Sequence, residues 1–190
     1  MADFLRLFVA LPLHREKCQA LSALSGCFPL PALPARLALC RADTLHLTLV
    51  FLGDSPVSAL PALKDEFQRM AAAHPPFDVI PTNLGGFPDA QKASILWFGY
   101  EKTPELSVLA QGIGQAIDGL GLTRDKKPFA PHLTLARVKG GHLSCREFPA
   151  LTAAQKTAFG FRAERFTLFA SHLGAQGVRH EAVAEFPLKG

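Results

Sequence analysis

The sequence predicts an α+β fold with two lobes around a central cleft. Short β-type apolar runs alternate with helical segments along 190 residues, of which 48% are hydrophobic and 19% charged, enough for a substantial core. The tetrapeptide His-Leu-Thr-Leu occurs once in each half, at 46–49 and at 132–135. Helices that return between strand pairs indicate two lobes, each with an antiparallel sheet and outer helices. We therefore expect residues 1–190 to form a single bilobal domain.

The first half of the chain shows clear start and stop signals. An apolar run beginning at Phe4 ends at Pro12, and the segment after Pro56 carries apolar residues at helical spacing with Ser55 as the expected N-cap. The pair Gly53-Asp54 should close the preceding strand. The predicted elements are strands at 4–11, 36–40 and 45–52, helices at 14–24 and 56–73, and a proline-rich extended connection at 28–34.

The second half continues the alternation. A helix is expected at 105–120 despite Gly112 and Gly114, which lower helix propensity. Strands at 77–84 and 94–100 should pair through a glycine-containing loop at 85–89. The remaining predicted elements are strands at 129–138, 159–171 and 178–188 and a short helix near 151–157.

Composition narrows the class of protein. No apolar run approaches the roughly 20 residues needed to span a bilayer, and the opening residues lack a signal-peptide pattern, so we expect a cytoplasmic protein without membrane contact. The four cysteines have neither zinc nor disulfide spacing and should be free thiols. The net charge of +4 favours an anionic partner, although this charge is common.

Both copies of the motif carry the side chains for chemistry on a phosphodiester. A histidine and a threonine two positions apart on a strand share one face, and the leucines share the other. Breaking a phosphodiester requires a base for the nucleophile, an acid for the leaving oxygen and donors to the phosphoryl oxygens. Two imidazoles, one neutral and one protonated, and two hydroxyls meet these needs.

The second copy is followed by an arginine. Arg137 comes three positions after Thr134, so a regular strand would place it on the opposite face, and a bulge or the strand's end is needed for it to reach the phosphate. Its planar guanidinium suits phosphate binding. Upstream, Arg124, Lys126 and Lys127 add positive potential. The two lysines are candidates for contacting the nucleic-acid backbone. The more common interpretation of such lysines is that they belong to a solvated surface.

Four stretches carry a family resemblance: 6–10, 44–53, 128–137 and 166–171. In order and over nearly the whole chain, they resemble the RNA 2',3'-cyclic phosphodiesterases of the two-histidine phosphoesterase superfamily, whose bacterial members were first named 2'-5' RNA ligases. The resemblance implies the bilobal phosphoesterase domain and an enzyme without metal or other cofactor. It would open a terminal 2',3'-cyclic phosphate to a 2'-phosphate, with weak reversible 2'-5' RNA ligation as a further expected activity.

The same resemblance implies roles for particular residues. His46 matches the proton donor to the departing oxygen, His132 the base that activates water, and Thr48, Thr134 and Arg137 the phosphate ligands. The expected partner is RNA ending in a 2',3'-cyclic phosphate, tRNA fragments included, bound by a monomer. Family members often carry a tyrosine where this chain has His180.

Other readings stay open at this stage. The remaining histidines are expected to be solvated or structural, although His172 and His180 could border the cleft. Phe87 and Trp97 could stack on a base, although Trp97 is more typical of core. Rival functions are a histidine-based metal hydrolase, a non-catalytic RNA-end-binding module, and a related phosphoesterase acting on a small cyclic nucleotide or ADP-ribose cyclic phosphate. Neither copy has a carboxylate or cysteine at ligand spacing, which disfavours the metal hydrolase.

Overall fold

The computed structural model describes residues 3–13, 36–41, 44–145, 158–174 and 177–190. The predicted helices at 14–24 and 151–157 and the connection at 28–34 lie outside the described residues. Within these ranges the α+β prediction is confirmed. The elements are strands β1 (Phe4–Pro12), β2 (Arg36–Leu39), β3 (His46–Pro56), β4 (Phe77–Val79), β5 (Pro81–Phe87), β6 (Ile95–Tyr100), β7 (His132–Lys139), β8 (Phe161–Ala163), β9 (Arg165–Gly174) and β10 (Gly177–Pro187), and helices α1 (Leu60–Ala73) and α2 (Pro104–Gly119).

One large antiparallel sheet organises the molecule. Its eight strands follow the order β10-β9-β1-β3-β7-β6-β5, with β2 also paired to β7, and β4 and β8 form a separate small sheet. The two motif strands, β3 and β7, are neighbours at its centre and meet at the pair Leu47 and Leu133. We expected a sheet in each lobe; the structure joins the two halves in one continuous sheet, and the division into lobes stays a prediction.

The motif leucines lie in the main hydrophobic core, as alternation predicts. Leu47, Leu49, Leu133 and Leu135 are buried together with side chains of both helices. Helix α1 contacts β10 and α2, and α2 contacts β3 and β4. Truncating such a leucine to alanine typically costs about 2–5 kcal/mol, so these residues hold the register of β3 and β7. Neither described helix has the length and apolarity to cross a membrane.

The start of α1 differs from the prediction. Strand β3 does not end at Gly53 but continues to Pro56, because β1 pairs with it as far as Phe4 and Pro56. Ser55 is therefore buried in the strand, where its hydroxyl donates to the carbonyl of Gly53 at 3.3 Å, and it is not the N-cap. A single 3-10 turn at Val57–Ala59 then leads into α1.

Two predicted strands divide where their pairing partner changes. The run at 77–84 breaks at Ile80, since β4 pairs with β8 while β5 pairs with β6. Strand β5 includes residues 85–87, which we expected in the loop. A break after Ala163 separates β8 from β9. The helix predicted at 105–120 is confirmed as α2, with the Thr103 hydroxyl accepting from the Leu106 amide at 3.4 Å.

Candidate active site

The two motif histidines are anchored in the same way. His46 and His132 are the first residues of β3 and β7. Nδ1 of His46 lies 2.7 Å from the carbonyl oxygen of Thr44, and Nδ1 of His132 lies 2.7 Å from that of Ala130. Because a carbonyl only accepts, each Nδ1 carries the hydrogen, and Nε2 is the atom left for proton transfer. Both imidazoles thus present the same nitrogen to a ligand.

The motif threonines lie on the same face of the sheet as the histidines. Thr48 is opposite Ala10 of β1, and Thr134 is opposite Trp97 of β6. Both threonines are half-buried, while the leucines between them are buried on the other face. We call the surface that carries His46, Thr48, His132 and Thr134 the site face. The structure brings these four predicted residues onto two neighbouring strands.

A bulge places Arg137 on the site face as well. Trp97 is opposite Thr134, but the next residue along β6, Leu96, is opposite Ala136, so Leu135 is an extra residue in β7. Arg137 then pairs with Ile95, which shares a face with Trp97. The predicted need for a bulge is confirmed. The phosphate-binding role of this exposed guanidinium stays a prediction.

The first copy of the motif has its bulge at the equivalent position. Ala10 is opposite Thr48 and Val9 is opposite Val50, so Leu49 is the extra residue in β3. Phe51 consequently pairs with Phe8 and shares the site face with Thr48. From the histidine to this point the two motif strands therefore repeat one backbone shape, and Phe51 occupies in the first copy the place that Arg137 occupies in the second.

Aromatic rings surround the His46 imidazole. The ring centroid of Phe8 is 4.8 Å away, that of His180 is 5.1 Å and that of Phe169 is 6.2 Å. The pKa of His46 is lowered to about 4, mainly by burial and to a lesser degree by positive charge on His180 and His132, while the hydrogen bond to Thr44 opposes the shift. Without a ligand, this imidazole is neutral at pH 7.

Different neighbours surround His132. The Phe87 ring meets it edge-on at 4.9 Å, and the Trp97 centroid is 6.3 Å away. Trp97 is half-buried on the site face, not in the core as we expected. Its indole lies so close to Gly85 and Gly99 that a β-carbon on either would fall within 3 Å of the ring. These glycines let the large side chain lie flat against the sheet.

His180 is the site residue for which the sequence favoured a structural role. It lies on β10 opposite Ser171, and its Nδ1 is 3.3 Å from the Ser171 hydroxyl oxygen. Burial lowers its pKa below the usual range. Strand alternation in the tail does not reveal how the ring approaches His46, because that depends on the packing of four strands. His172, by contrast, pairs with Glu181 at 3.3 Å.

The basic residues that precede the second motif, Arg124, Lys126 and Lys127, do not lie on the site face with a defined contact as the histidines do. Lys126 and Lys127 are exposed, and the Lys127 ammonium lies 3.3 Å from Asp125. The amide of Asp125 donates to the carbonyl of Phe51 at 2.8 Å, so this loop runs beside the first motif strand. Arg124 pairs with Asp118 at 2.7 Å. The lysines are near the site without a contact that assigns them a role.

The arrangement suits acid–base chemistry on an anion. Two imidazoles with Nε2 available, two hydroxyls and one guanidinium share the site face, which matches the charge and protons of a phosphodiester. Within the described ranges, three or more His, Cys, Asp or Glu side chains do not gather at any point where they could hold a metal ion.

A family model covers this arrangement. The model of the 2'-5' RNA ligase superfamily matches residues 34–175, which include both motif strands and Arg137. The chain belongs to the 2'-5' RNA ligase superfamily. Superfamily relatives named RNA 2',3'-cyclic phosphodiesterase include one from Geobacillus stearothermophilus, 32% identical over 96% of this chain but only 57% of the relative's length. Another, from Bacillus subtilis, is 31% identical over 75% of this chain and 76% of its own length.

Solved structures share the fold of this chain. A Thermus thermophilus protein is 27% identical with a TM-score of 0.82, covering 97% of this chain and 98% of its own. Escherichia coli LigT complexed with 3'-AMP is 25% identical with a TM-score of 0.81, covering 99% of this chain and all of LigT. The α+β prediction is thereby confirmed by solved structures, while the bilobal arrangement stays a prediction.

Proposed function

We propose that this chain is a phosphoesterase that opens the 2',3'-cyclic phosphate at an RNA end to leave a 2'-phosphate. The observation that carries the proposal is the pair of equivalently anchored histidines, each with a threonine on the same face, on the two central strands. The names of the superfamily relatives support the substrate class.

In the proposed reaction one imidazole acts as the general base and the other as the general acid. His132 takes a proton from water through Nε2, and the water oxygen bonds to phosphorus. The bond from phosphorus to O3' breaks, and His46 gives its Nε2 proton to that oxygen. Thr48, Thr134 and Arg137 donate hydrogen bonds to the phosphoryl oxygens as negative charge accumulates there. The product is a 2'-phosphomonoester beside a free 3'-hydroxyl.

The low pKa of His46 makes its protonation depend on the substrate. A group with a pKa of about 4 is neutral at pH 7, yet a proton donor has to enter the reaction charged. A bound phosphate adds a negative charge beside the ring, and an opposite charge raises the pKa of an imidazole. In this proposal, therefore, binding of the substrate causes His46 to take up a proton, and His46 then gives that proton to the O3' of the substrate.

Product identification tests the reaction. RNA oligomers ending in a 2',3'-cyclic phosphate would be incubated with the protein and EDTA, and the products separated from synthetic 2'- and 3'-phosphate standards. We expect the 2'-phosphate, at a rate unchanged by EDTA. Binding without any product would support an RNA-end-binding module instead. If the protein hydrolyses small cyclic nucleotides but not the RNA ends, the substrate is a small cyclic nucleotide.

A sulfur leaving group tests the roles of the histidines. Thiolate departs without protonation, so a substrate with sulfur in place of O3' no longer needs the acid. We expect this substrate to restore turnover to His46→Ala but not to His132→Ala. Restoration of His132→Ala alone would show that the two roles are reversed.

The finer parts of the proposal concern the cellular setting. We propose that the enzyme acts as a cytoplasmic monomer on RNA ends that include tRNA fragments, and that it catalyses weak 2'-5' ligation in reverse. Sedimentation of the purified protein and sequencing of RNA ends in cells with and without it would test these points. A stable dimer, or no change in 2',3'-cyclic ends, would contradict them.

A further inference from the structure

The site face continues along β1 beyond the ring that contacts His46. That ring belongs to Phe8, whose centroid is 4.8 Å from the imidazole. Alternation places Arg6 and Phe4 on the same face as Phe8, nearer the start of the strand. Phe8 is only 1% exposed, whereas Phe4 is 60% exposed and Arg6 is exposed as well. The outer end of β1 therefore presents one guanidinium and one phenyl ring to solvent on the face that carries the motif histidines.

Arg6 differs from most arginines of the described structure because its charge is not paired with a carboxylate. Asp54 is opposite Arg6 in β3, yet among the described residues no carboxylate lies within ion-pair distance of the Arg6 guanidinium. Arg137, the proposed phosphate ligand, is unpaired in the same sense. Five other described arginines do form ion pairs with Asp or Glu: Arg69, Arg124, Arg162, Arg165 and Arg179. The two unpaired guanidiniums share the site face, so Arg6 is also free to bind an anion from outside the protein.

The outer end of β1 lies on the side of the site where the RNA chain would leave. In the proposed reaction O3' departs toward His46, in line with the water that His132 activates. O3' belongs to the ribose of the terminal nucleotide, and the rest of the RNA is joined to that ribose through O5'. The upstream RNA is therefore on the His46 side. Strand β1 pairs with β3 on that side, away from β7.

Along β1 the site face is open in one direction. Ala10, which is opposite Thr48, is fully buried, and Phe8 is buried too, so exposure on this face begins at Arg6. Arg6 is four residues from Ala10, roughly 13 Å at the usual rise of a strand. One nucleotide together with an extended arginine side chain spans such a distance. A cyclic phosphate held by Thr48 therefore leaves the next phosphodiester of the RNA within reach of Arg6.

We propose that Arg6 binds the phosphodiester that joins the terminal nucleotide to the rest of the RNA, and that the base of the preceding nucleotide stacks on Phe4. This second-nucleotide subsite gives the protein a preference for RNA ends over cyclic mononucleotides. The proposal rests on the proposed function, in particular on His46 as the acid. A charged donor suits the phosphodiester, and an exposed ring suits any base. Asp54 adds a negative charge beside Arg6 and weakens binding of the phosphodiester.

Three substrates of increasing size test the subsite. They are adenosine 2',3'-cyclic phosphate, the dinucleotide ApA ending in a 2',3'-cyclic phosphate, and the same dinucleotide without the base of its first nucleotide. We expect Arg6→Ala to lower kcat/KM for both dinucleotides by roughly tenfold and to change it for the mononucleotide by less than about twofold. Phe4→Ala should lower kcat/KM only for the complete dinucleotide, by at least about fivefold.

The salt dependence separates a phosphate contact from a structural role. Each phosphate contact on a single strand contributes about 0.7 to the slope of log affinity against log salt concentration. We therefore expect Arg6→Ala to reduce the corresponding slope of log kcat/KM for the dinucleotides by about 0.7. Arg6→Lys keeps the charge and should retain the slope. Asp54→Asn removes a repelling charge and should raise kcat/KM for both dinucleotides.

Arg69→Ala is the matched control for loss of one positive charge. Arg69 is an exposed arginine on α1, and α1 packs against the leucine face of the sheet, opposite the site face. We expect Arg69→Ala to leave kcat/KM and the salt slope unchanged for all three substrates. Thermal melts of each variant would confirm that the fold is kept.

Several outcomes would overturn the inference. An equal loss for all three substrates in Arg6→Ala would mean that Arg6 only supports the site, and an unchanged salt slope would exclude its contact with the phosphodiester. An equal loss for both dinucleotides in Phe4→Ala would exclude stacking on that ring. If the wild-type protein opens the mononucleotide as efficiently as the dinucleotides, the proposed reaction stands and this inference fails. If it opens none of the three, both fail.

Discussion

The two motif strands share a backbone and differ in what surrounds it. In each, the histidine Nδ1 donates to a carbonyl two residues earlier, the threonine lies on the site face, and a bulge follows at the second leucine. Around His46 the neighbours are Phe8, Phe169 and a third imidazole; around His132 they are Phe87 and Trp97. A repeated backbone therefore does not give repeated chemistry, because the neighbouring strands set the environment of each imidazole.

Removing either imidazole should have the largest effect on turnover. We expect His46→Ala and His132→Ala each to lower kcat on a cyclic-phosphate RNA end by about 10²–10⁴-fold, since each loses one proton-transfer group. Single-turnover assays would measure this, with thermal melts as the control for folding. Near-wild-type turnover in either variant would contradict the acid–base assignment.

Replacing Arg137 should have the next largest effect. We expect Arg137→Ala to lower kcat/KM by roughly 10²-fold, because one charged donor to the phosphoryl oxygens is lost. Arg137→Lys should retain part of the kcat/KM that Arg137→Ala loses. The exchange Phe51→Arg in the Arg137→Ala background tests the asymmetry between the copies. We expect it not to rescue activity, and a rescue would show that the two positions are interchangeable.

The buried imidazole predicts a pH dependence of stability. The pKa of His46 is about 4 in the folded protein, below the usual 6.5, so between these values the unfolded state binds a proton that the folded state does not. The free energy of unfolding should therefore fall as the pH drops from about 6.5 to about 4, by at most about 3 kcal/mol from this group.

Urea melts of the wild type and of His46→Gln would measure that contribution. The glutamine variant keeps a polar side chain but does not titrate, so its unfolding free energy should change less over the same interval. His180 has a lowered pKa too and remains in both proteins, so the difference between the two curves isolates His46. Parallel curves would mean that His46 is not the group responsible.

The smallest expected effect concerns the third imidazole. Burial is the main cause of the low pKa of His46, and the His180 charge is a lesser one. We therefore expect His180→Gln to raise the pKa of His46 slightly, by less than about one unit on the usual scale of such effects. An NMR titration of the ring nitrogens would show it. No change would mean that the His180 charge does not contribute to this pKa.

Much of the fold was predictable because it depends on local patterns. The alternation in each motif placed His and Thr on one face and Leu in the core, and the helix predicted at 105–120 is present as α2. The failures occur where distant strands compete. Ser55 could not cap α1 because β1 holds it in β3, and the run at 77–84 broke because β4 and β5 have different partners.

By itself, the sequence determined the chemical groups of the candidate site and the face on which four of them lie, since both follow from residue identity and a period of two. Tertiary structure alone decided which strands are neighbours, where the bulges fall and which rings meet His46. The bulge at Leu135 that turns Arg137 to the site face, and the approach of His180 from β10, depend on pairing between segments far apart in the chain. Such pairings are set by the packing of the whole sheet, which no local pattern records.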